Sequence, residues 1–165
     1  MVRADLSSPA QTRSLGLSLA KLLHPPALIT LRGELGSGKT SLVRETLRAL
    51  GVDEVIASPS YTIVQSYQTP DGLLVNHLDL YRINEGIDVD LLAWDDYLGH
   101  GLTFVEWPEA GTGQLPPATL DIELKHVTPT SREVRLRGAP EIERELLKTM
   151  LAAGISARRD HEAPS

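Results

Sequence analysis

One stretch of this sequence reads Gly33-Glu34-Leu35-Gly36-Ser37-Gly38-Lys39-Thr40 and matches the pattern G-x-x-x-x-G-K-[ST] at every fixed position. Glycines let the chain curve so that several backbone N–H groups converge on one anion, because no Cβ obstructs the turn. The lysine of such a loop reaches the β- and γ-phosphates of a nucleotide, and the hydroxyl after it can bind Mg²⁺. While the site is empty, we expect the Lys39 side chain to face solvent. A chance turn is the alternative interpretation, so the flanking sequence has to support the motif.

The segments on either side of this loop have the expected character. Residues 27–32 (ALITLR) form an apolar run typical of a buried strand, and residues 41–50 (SLVRETLRAL) carry apolar side chains along one helical face. A helix that starts directly after the loop points its positive end at a bound phosphate. Strand, loop and helix together predict a phosphate loop and a P-loop NTPase fold of the α/β class.

The rest of the chain predicts further elements around this unit. Ser8 and Gln11 form a capping box that predicts a helix start, and an antiparallel hairpin is predicted over 61–80. Further elements are predicted at five places: strands over 102–107, 119–124 and 132–137, and helices over 86–98 and 140–151. Because buried strands alternate with helices, we expect a three-layer sandwich with a mainly parallel sheet and the hairpin added to it.

Composition excludes several classes of protein. The chain has 165 residues, no cysteine and a formal net charge of −6. The missing cysteines exclude a disulfide scaffold, a thiolate zinc site and a cysteine nucleophile. The acidic balance and an aromatic content of 4% argue against a broad basic or base-stacking surface for nucleic acid.

Length and patterning favour one domain over residues 1–151, followed by a disordered polar tail over 152–165. Residues 1–8 lack the apolar run of ~7–15 residues that a signal peptide needs. No stretch approaches the ~18 apolar residues of a membrane span. We therefore expect a cytoplasmic protein without a membrane partner.

A phosphate-loop NTPase needs a carboxylate for Mg²⁺ and a group that positions the nucleophile, and two carboxylates stand where predicted strands end. Asp79 ends the run LLVNHLD and is predicted to hold the metal through its water shell. Glu106 ends the run LTFVE and is predicted to orient or activate a water molecule. A surface carboxylate is the alternative for each. His77 shares a strand face with Asp79, and there a packed histidine is favoured over a metal ligand.

The hydroxyl-rich segment over residues 58–62 (SPSYT) follows the predicted helix after the loop. Segments at this place in NTPases often reach the γ-phosphate and act as a switch. A plain turn that enters a strand is the equal alternative.

Four blocks of the sequence resemble the TsaE (YjeE) family, the bacterial ATPases for threonylcarbamoyladenosine modification of tRNA. The blocks are GELGSGKTSLVR, SPSYTIVQSY, NHLDLYRI and FVEWPE, and they follow the family's order over roughly residues 8–125. HLDLYR and VEWPE are specific to this family, whereas many families share the phosphate loop. Ser37 and Ser60 stand where the family often has alanine and threonine, and both changes are conservative.

The resemblance implies an ATP hydrolase that uses ATP and Mg²⁺. It assigns Lys39 and Glu106 to catalysis, and Thr40, Asp79 and Glu106 to the metal. The nucleotide-binding residues that it implies are the phosphate loop, the serine after it and one tryptophan, for which core packing is the alternative: Gly33, Glu34, Leu35, Gly36, Ser37, Gly38, Lys39, Thr40, Ser41 and Trp107.

The resemblance also implies partners. The family acts with TsaD and TsaB, which form the modification at adenosine 37 of tRNA, and TsaE hydrolyses ATP when bound to that pair. The protein would then reach tRNA only indirectly, through these partners, and would not itself be the transferase. The acidic net charge agrees with this expectation, because such a chain need not grip tRNA alone.

Two other functions stay open on the residues alone: a small-molecule kinase and a nucleotide-gated binding module. Small kinases usually close an arginine-bearing lid over the transferred phosphate, and residues 83–131 contain no arginine. A pure switch would not need Glu106. The arginines that could stabilise transferred charge are few: Arg32, Arg44, Arg48, Arg82 and those of the last predicted strand. Arg82 is favoured because it follows Asp79 closely, and we expect slow turnover without partners.

Overall fold

The computed structural model describes residues 1–53, 59, 62–83 and 94–160. Within these residues, eight strands form one sheet, accompanied by four α-helices and a 3₁₀-helix over Pro108–Gly111. The strands are β1 Val2–Leu6, β2 Ala27–Arg32, β3 Val64–Gln68, β4 Leu74–Asp79, β5 Leu102–Glu106, β6 Leu120–His126, β7 Arg132–Gly138 and β8 Ser156–Arg159. The α-helices are α1 Pro9–Leu22, α2 Lys39–Ala49, α3 Trp94–Leu98 and α4 Pro140–Ala152.

Neighbouring strands in the sheet follow the order β3-β4-β5-β2-β6-β7-β1-β8. The pairings β4–β5, β5–β2 and β2–β6 are parallel, and the remaining pairings are antiparallel. The predicted α/β fold with an added hairpin is confirmed, since β3 and β4 form that hairpin at one edge. The parallel part is limited to β4, β5, β2 and β6, because β7, β1 and β8 form a second antiparallel group that the sequence analysis did not predict.

The sequence analysis predicted β7 of this group as a strand, whereas β1 and β8, which come from the two ends of the described chain, were not predicted. β1 alternates buried and more exposed side chains, as a half-buried strand does. The prediction of a disordered tail from residue 152 is wrong as far as residue 160, because β8 pairs with β1. The sequence of β8, SARR, lacks apolar alternation, so backbone pairing rather than apolar burial places it in the sheet. Residues 161–165 lie outside the described residues.

The helices begin close to the predicted positions. Ser8 caps α1, and its Oγ accepts a hydrogen bond from the Gln11 backbone N–H at 3.4 Å. The Gln11 Oε1 accepts from the Ser7 N–H at 2.6 Å, so the return bond of the capping box reaches one residue earlier than predicted. Of the helix predicted over 86–98, only α3 lies within the described residues. No helix in this described part is long and apolar enough to cross a membrane.

Apolar cores lie on both faces of the sheet. Alternate residues of β5 divide between them, since Phe104 belongs to the larger core and Val105 to the smaller one. α1, α2 and α4 pack on the larger core, and α3 packs on the smaller core through Trp94. The predicted three-layer arrangement follows from this division of side chains.

The parallel strands bring three parts of the chain to one edge of the sheet. The phosphate loop follows β2, Asp79 is the last residue of β4, and Glu106 is the last residue of β5. The register places Glu106 between Leu31 of β2 and Asp79 of β4. Because parallel strands all end at the same edge, the loop and both carboxylates meet there.

Candidate functional site

The phosphate loop connects β2 to α2, and its shape depends on three glycines. Gly33, Gly36 and Gly38 have φ values of 139°, 76° and 106°, in the region that glycine adopts without strain. At Gly33 an added Cβ would also collide with the Leu124 carbonyl oxygen and lie 2.7 Å from the Ser37 Oγ. The loop delivers the chain to the first turn of α2, whose unpaired N–H groups and positive dipole favour an anion.

Lys39 lies inside the loop rather than in solvent. Its Nζ donates hydrogen bonds to the carbonyl oxygens of Gly33 at 2.6 Å and Glu34 at 2.9 Å, and the residue is 4% exposed. The expectation of a solvent-facing lysine is therefore wrong. Burial lowers the pKa of Lys39, although the nearby carboxylates of Glu106 and Asp79 oppose the shift.

Glu106 joins three elements that are distant in sequence. The Thr40 Oγ1, on the first turn of α2, donates to Glu106 at 2.8 Å from Oε1 and 3.1 Å from Oε2. The Nε2 of His77 in β4 lies 2.8 Å from the same Oε1. His77 and Glu106 are 0% and 2% exposed. The favoured interpretation of His77 as a packed histidine is confirmed, but its packing partner is the candidate catalytic carboxylate.

Asp79 lies directly beside Glu106 in the register of β4 and β5 and is also buried. Its Oδ1 accepts a hydrogen bond from the Tyr81 backbone N–H at 3.0 Å, so the chain after β4 orients this carboxylate. Within the described residues, no cluster of three or more His, Cys, Asp or Glu side chains could hold a metal by itself. A hard cation here would therefore depend on the Thr40 hydroxyl, the two carboxylates and further oxygen ligands such as water or phosphate.

Trp107 borders the site in a left-handed backbone conformation, with a φ of 58°. Its ring lies 4.0 Å from the Lys39 Nζ, measured to the ring centroid, and 4.9 Å from the ring of Tyr81. The Trp107 N–H donates to the Leu31 carbonyl oxygen at 3.2 Å. Trp107 thus contacts the lysine of the loop by a cation–π interaction, in addition to the core packing that was the alternative.

These groups surround one cavity of about 200 Å³ at the edge of the sheet. Its lining combines the loop, the start of α2 and the strand ends with one tyrosine that the sequence analysis did not select and one arginine of the last predicted strand: Leu35, Gly36, Gly38, Lys39, Thr40, Ser41, Asp79, Tyr81, Glu106, Trp107 and Arg132. Of the nucleotide-site candidates, Gly33, Glu34 and Ser37 do not line it and instead shape the loop behind it.

Comparison with known proteins assigns the chain to a family. The sequence model of the family described as Threonylcarbamoyl adenosine biosynthesis protein TsaE matches residues 6–134. The chain belongs to the TsaE family. The tRNA threonylcarbamoyladenosine biosynthesis protein TsaE of Bacillus subtilis is 33% identical over 129 residues, which cover 77% of this chain and 79% of that protein. The TsaE of Streptomyces coelicolor is 37% identical over 126 residues, which cover 74% of this chain and 85% of that protein.

A solved structure supports the same assignment. The crystal structure of Bacillus subtilis YdiB superposes on this TsaE-family chain with a TM-score of 0.72 and 27% sequence identity. The match covers 93% of this chain and 98% of YdiB. The P-loop type of α/β fold predicted from the sequence is thereby confirmed.

Arg132 lines the cavity of this TsaE-family protein, and it is one of the arginines of the last predicted strand that the sequence analysis named without favouring them. It opens β7, and its Nε donates to the Ser37 carbonyl oxygen in the phosphate loop at 2.8 Å. Its Nη1 donates to the carbonyl oxygens of Thr128 at 2.9 Å and Ser131 at 2.8 Å. The sequence analysis favoured Arg82 as the cation near the phosphates, whereas Arg132 lines the cavity and Arg82 does not.

The remaining predictions for the TsaE-family site concern Arg32, the segment over residues 58–62 and His77. Arg32 pairs with Glu109 at 2.9 Å and with Asp121 at 3.0 Å, so other carboxylates engage its guanidinium. Residues 58, 60 and 61 of the proposed switch segment lie outside the described residues, and this prediction stays untested. The sequence analysis weighed His77 as a packed histidine or a metal ligand and did not link it to Glu106. Its position two residues before Asp79 in a strand was the one sequence signal of a link to the site.

Proposed function

We propose that this TsaE-family protein hydrolyses ATP, with Mg²⁺, in the threonylcarbamoyladenosine modification of tRNA. The observation that carries the proposal is the contact between Thr40 and Glu106. It puts a buried carboxylate against the first turn of the helix that follows a phosphate loop. A buried carboxylate there can accept the proton of an attacking water, which hydrolysis of a phosphoanhydride requires and nucleotide binding alone does not.

The loop and α2 supply the groups that bind the nucleotide. Backbone N–H groups of the loop and the start of α2 would accept the β- and γ-phosphates, and Lys39 would shift from the carbonyl oxygens of Gly33 and Glu34 to phosphate oxygens. The Thr40 hydroxyl, Asp79 and Glu106 are oxygen donors of the kind that Mg²⁺ prefers, so these residues fit the metal. Mg²⁺ bound there would neutralise charge on the phosphate oxygens.

Glu106 is the proposed base for the attacking water. The water oxygen forms a bond to the γ-phosphorus while the bond from that phosphorus to the bridging oxygen of ADP breaks, and Glu106 accepts the proton that the water loses. Its burial suits this role, because bulk water does not screen a carboxylate that is 2% exposed. The products are ADP and inorganic phosphate.

Partners are part of the proposal. In the part of the chain that the structure describes, the cations that line the cavity are Lys39 and Arg132, and Arg132 is engaged with loop and turn carbonyl oxygens. A site with few free cations stabilises transferred charge poorly, so TsaB and TsaD are proposed to raise the rate and to deliver the coupling to tRNA. The cytoplasmic location stays a prediction from the sequence.

The test measures phosphate release by the purified protein, alone and with TsaB and TsaD. We expect the partners to raise the rate at least ~10-fold, which corresponds to about 1.4 kcal/mol in the barrier. Lys39→Ala should remove the stimulated rate in a chain whose circular dichroism shows that it still folds. Fast release in isolation that neither partner changes would contradict the proposal, and transfer of the phosphate to a small metabolite would favour a kinase.

A further inference from the structure

The hydrogen bonds on Glu106 are unequal between its two carboxylate oxygens. Oε1 contacts both the Thr40 hydroxyl and His77 Nε2 at 2.8 Å, whereas among the described residues Oε2 contacts only the Thr40 hydroxyl, at 3.1 Å. Oε1 is therefore saturated by protein donors. Oε2 keeps its acceptor capacity for a water molecule in the cavity that Glu106 lines.

The contact with Thr40 does not explain why the two carboxylate oxygens of Glu106 differ in their hydrogen bonds. Its hydroxyl lies within hydrogen-bond distance of both oxygens and can stabilise either one. The last torsion of a glutamate side chain is broad, so the plane of the carboxylate can rotate at little cost. His77 contacts one oxygen only, and this contact selects one rotation of the carboxylate.

The contacts of His77 indicate which of its two ring nitrogens carries a proton. An ionised carboxylate can only accept, so the Nε2 of His77 has to donate. The Nδ1 of His77 is buried with no hydrogen-bond partner within the described part of the chain. An N–H at Nδ1 would be buried without an acceptor, whereas the Nε2–H tautomer leaves only an unused lone pair there.

We propose that His77 is a positioning residue for hydrolysis, because its Nε2–H fixes the rotation of the Glu106 carboxylate and reserves Oε2 for the attacking water. This inference rests on the proposed ATPase function. His77 does not line the cavity, so it acts through Glu106 and not on the nucleotide.

Two amide substitutions separate this role from simple packing. In His77→Gln the side-chain nitrogen is as many bonds from the backbone as the histidine Nε2, so it can reach Glu106. In His77→Asn the nitrogen occupies the place of Nδ1 and cannot. We expect His77→Asn to lower turnover in the presence of TsaB and TsaD by roughly 10–100-fold with nucleotide affinity unchanged, and His77→Gln to keep turnover within about 3-fold of the wild type.

A neighbouring substitution controls for damage to β4. Asn76 is buried beside His77 on the opposite face of the strand, and its side chain bonds to Ser66 and to the Tyr97 carbonyl oxygen. Asn76→Ala should lower stability and leave turnover near the wild-type value. An equal loss of turnover in Asn76→Ala and His77→Asn would overturn the proposal, as would wild-type turnover in His77→Asn or an equal loss in His77→Asn and His77→Gln.

A second measurement does not depend on activity or on a folded variant. Long-range ¹H–¹⁵N correlation spectra of the nucleotide-free wild-type chain should show His77 protonated at Nε2 and unprotonated at Nδ1. The Nδ1–H tautomer would overturn the proposal. Glu106→Gln distinguishes the two levels of inference: wild-type turnover in that variant defeats the ATPase mechanism, whereas a loss in Glu106→Gln without a loss in His77→Asn defeats only the role of His77.

Discussion

The central parallel strands and the antiparallel group β7-β1-β8 belong to one sheet but contribute differently to the site. Parallel neighbours all end at the same edge, so β2, β4 and β5 deliver the phosphate loop, Asp79 and Glu106 to one cavity. Antiparallel neighbours end at opposite edges in turn, and in the described chain this group adds only Arg132, from the first position of β7.

The antiparallel group is held together by a network of ion pairs and by apolar packing. Glu133 pairs with Arg3 of β1 and with Arg135, and Arg135 also reaches Glu123 of β6. α4 packs on the same part of the sheet through Leu146. We therefore expect substitutions in the parallel strands to change chemistry, and substitutions in the antiparallel group, apart from Arg132, to change stability alone.

Substitutions of the two carboxylates at the ends of the parallel strands should change activity most, and each in a different way. Glu106→Gln should slow hydrolysis by about 10²–10⁴ and leave nucleotide affinity largely intact, since it removes a base. Asp79→Asn should instead weaken the Mg²⁺-dependent part of nucleotide affinity, because it removes a charge near the metal. Phosphate release and nucleotide titrations with and without Mg²⁺ measure the two effects. Equal behaviour of the two variants would show that the strand ends do not have distinct roles.

A second prediction concerns the backbone of the loop. Gly33→Ala should lower the free energy of unfolding by about 3 kcal/mol or more, because a Cβ would meet the Leu124 carbonyl oxygen and the φ of 139° disfavours any other residue. Gly36→Ala is the matched control: its φ is 76°, but an added Cβ meets nothing within 4 Å, so it should cost only about 1–2 kcal/mol. Urea denaturation measures both, and equal losses would refute the role of the close contact.

Arg132 belongs to β7 of the antiparallel group but contacts the phosphate loop, so its substitution tests whether this group contributes to the site. Arg132→Ala removes the charged hydrogen bond to the Ser37 carbonyl oxygen, so we expect nucleotide affinity to fall by roughly 3–10-fold as the loop loosens. Arg135→Ala, on the same strand, is the control and should leave affinity unchanged, because Arg135 contacts only Glu133 and Glu123 among the described residues. If both variants bind nucleotide like the wild type, the antiparallel group makes no contribution to the site.

The smallest expected effect is a pH dependence of stability in the antiparallel group. Burial alone would raise the pKa of Glu133, but the guanidinium groups of Arg3 and Arg135 outweigh it and hold the pKa below its ordinary value of 4.5. The stabilisation is therefore present above that value and is lost as the pH falls through the lower pKa of the folded state. Glu133→Gln should cost less than about 1 kcal/mol at neutral pH.

The measurement for Glu133 is the difference in unfolding free energy between the wild type and Glu133→Gln, followed from pH 7 down to about pH 3. The difference should shrink as the pH falls, while nucleotide affinity at neutral pH should be the same in both chains. A difference that grows on acidification would contradict the assigned direction of the pKa, and a change in affinity would break the division between the two regions.

Prediction from sequence succeeded where the signal is local. The strand over 27–32 and the hairpin over 61–80 depend on apolar runs and turns within a few residues, and the structure has both. β8 was missed because SARR carries no burial pattern and takes its place through backbone bonds to β1. Lys39 was expected in solvent because nothing in a linear motif shows that the loop folds over its own lysine.

The phosphate loop was predictable from residues 33–40 alone, since the glycine spacing, the lysine and the hydroxyl all lie within this segment and bind through local backbone geometry. Family membership was also predictable, because the four motif blocks are short and contiguous. The side chains that support Glu106 and the loop could not be identified without the fold. His77 and Arg132 lie 29 and 95 residues from their respective partners, Glu106 and Ser37. Strand order and register create these contacts, and no pattern of neighbouring residues encodes either one.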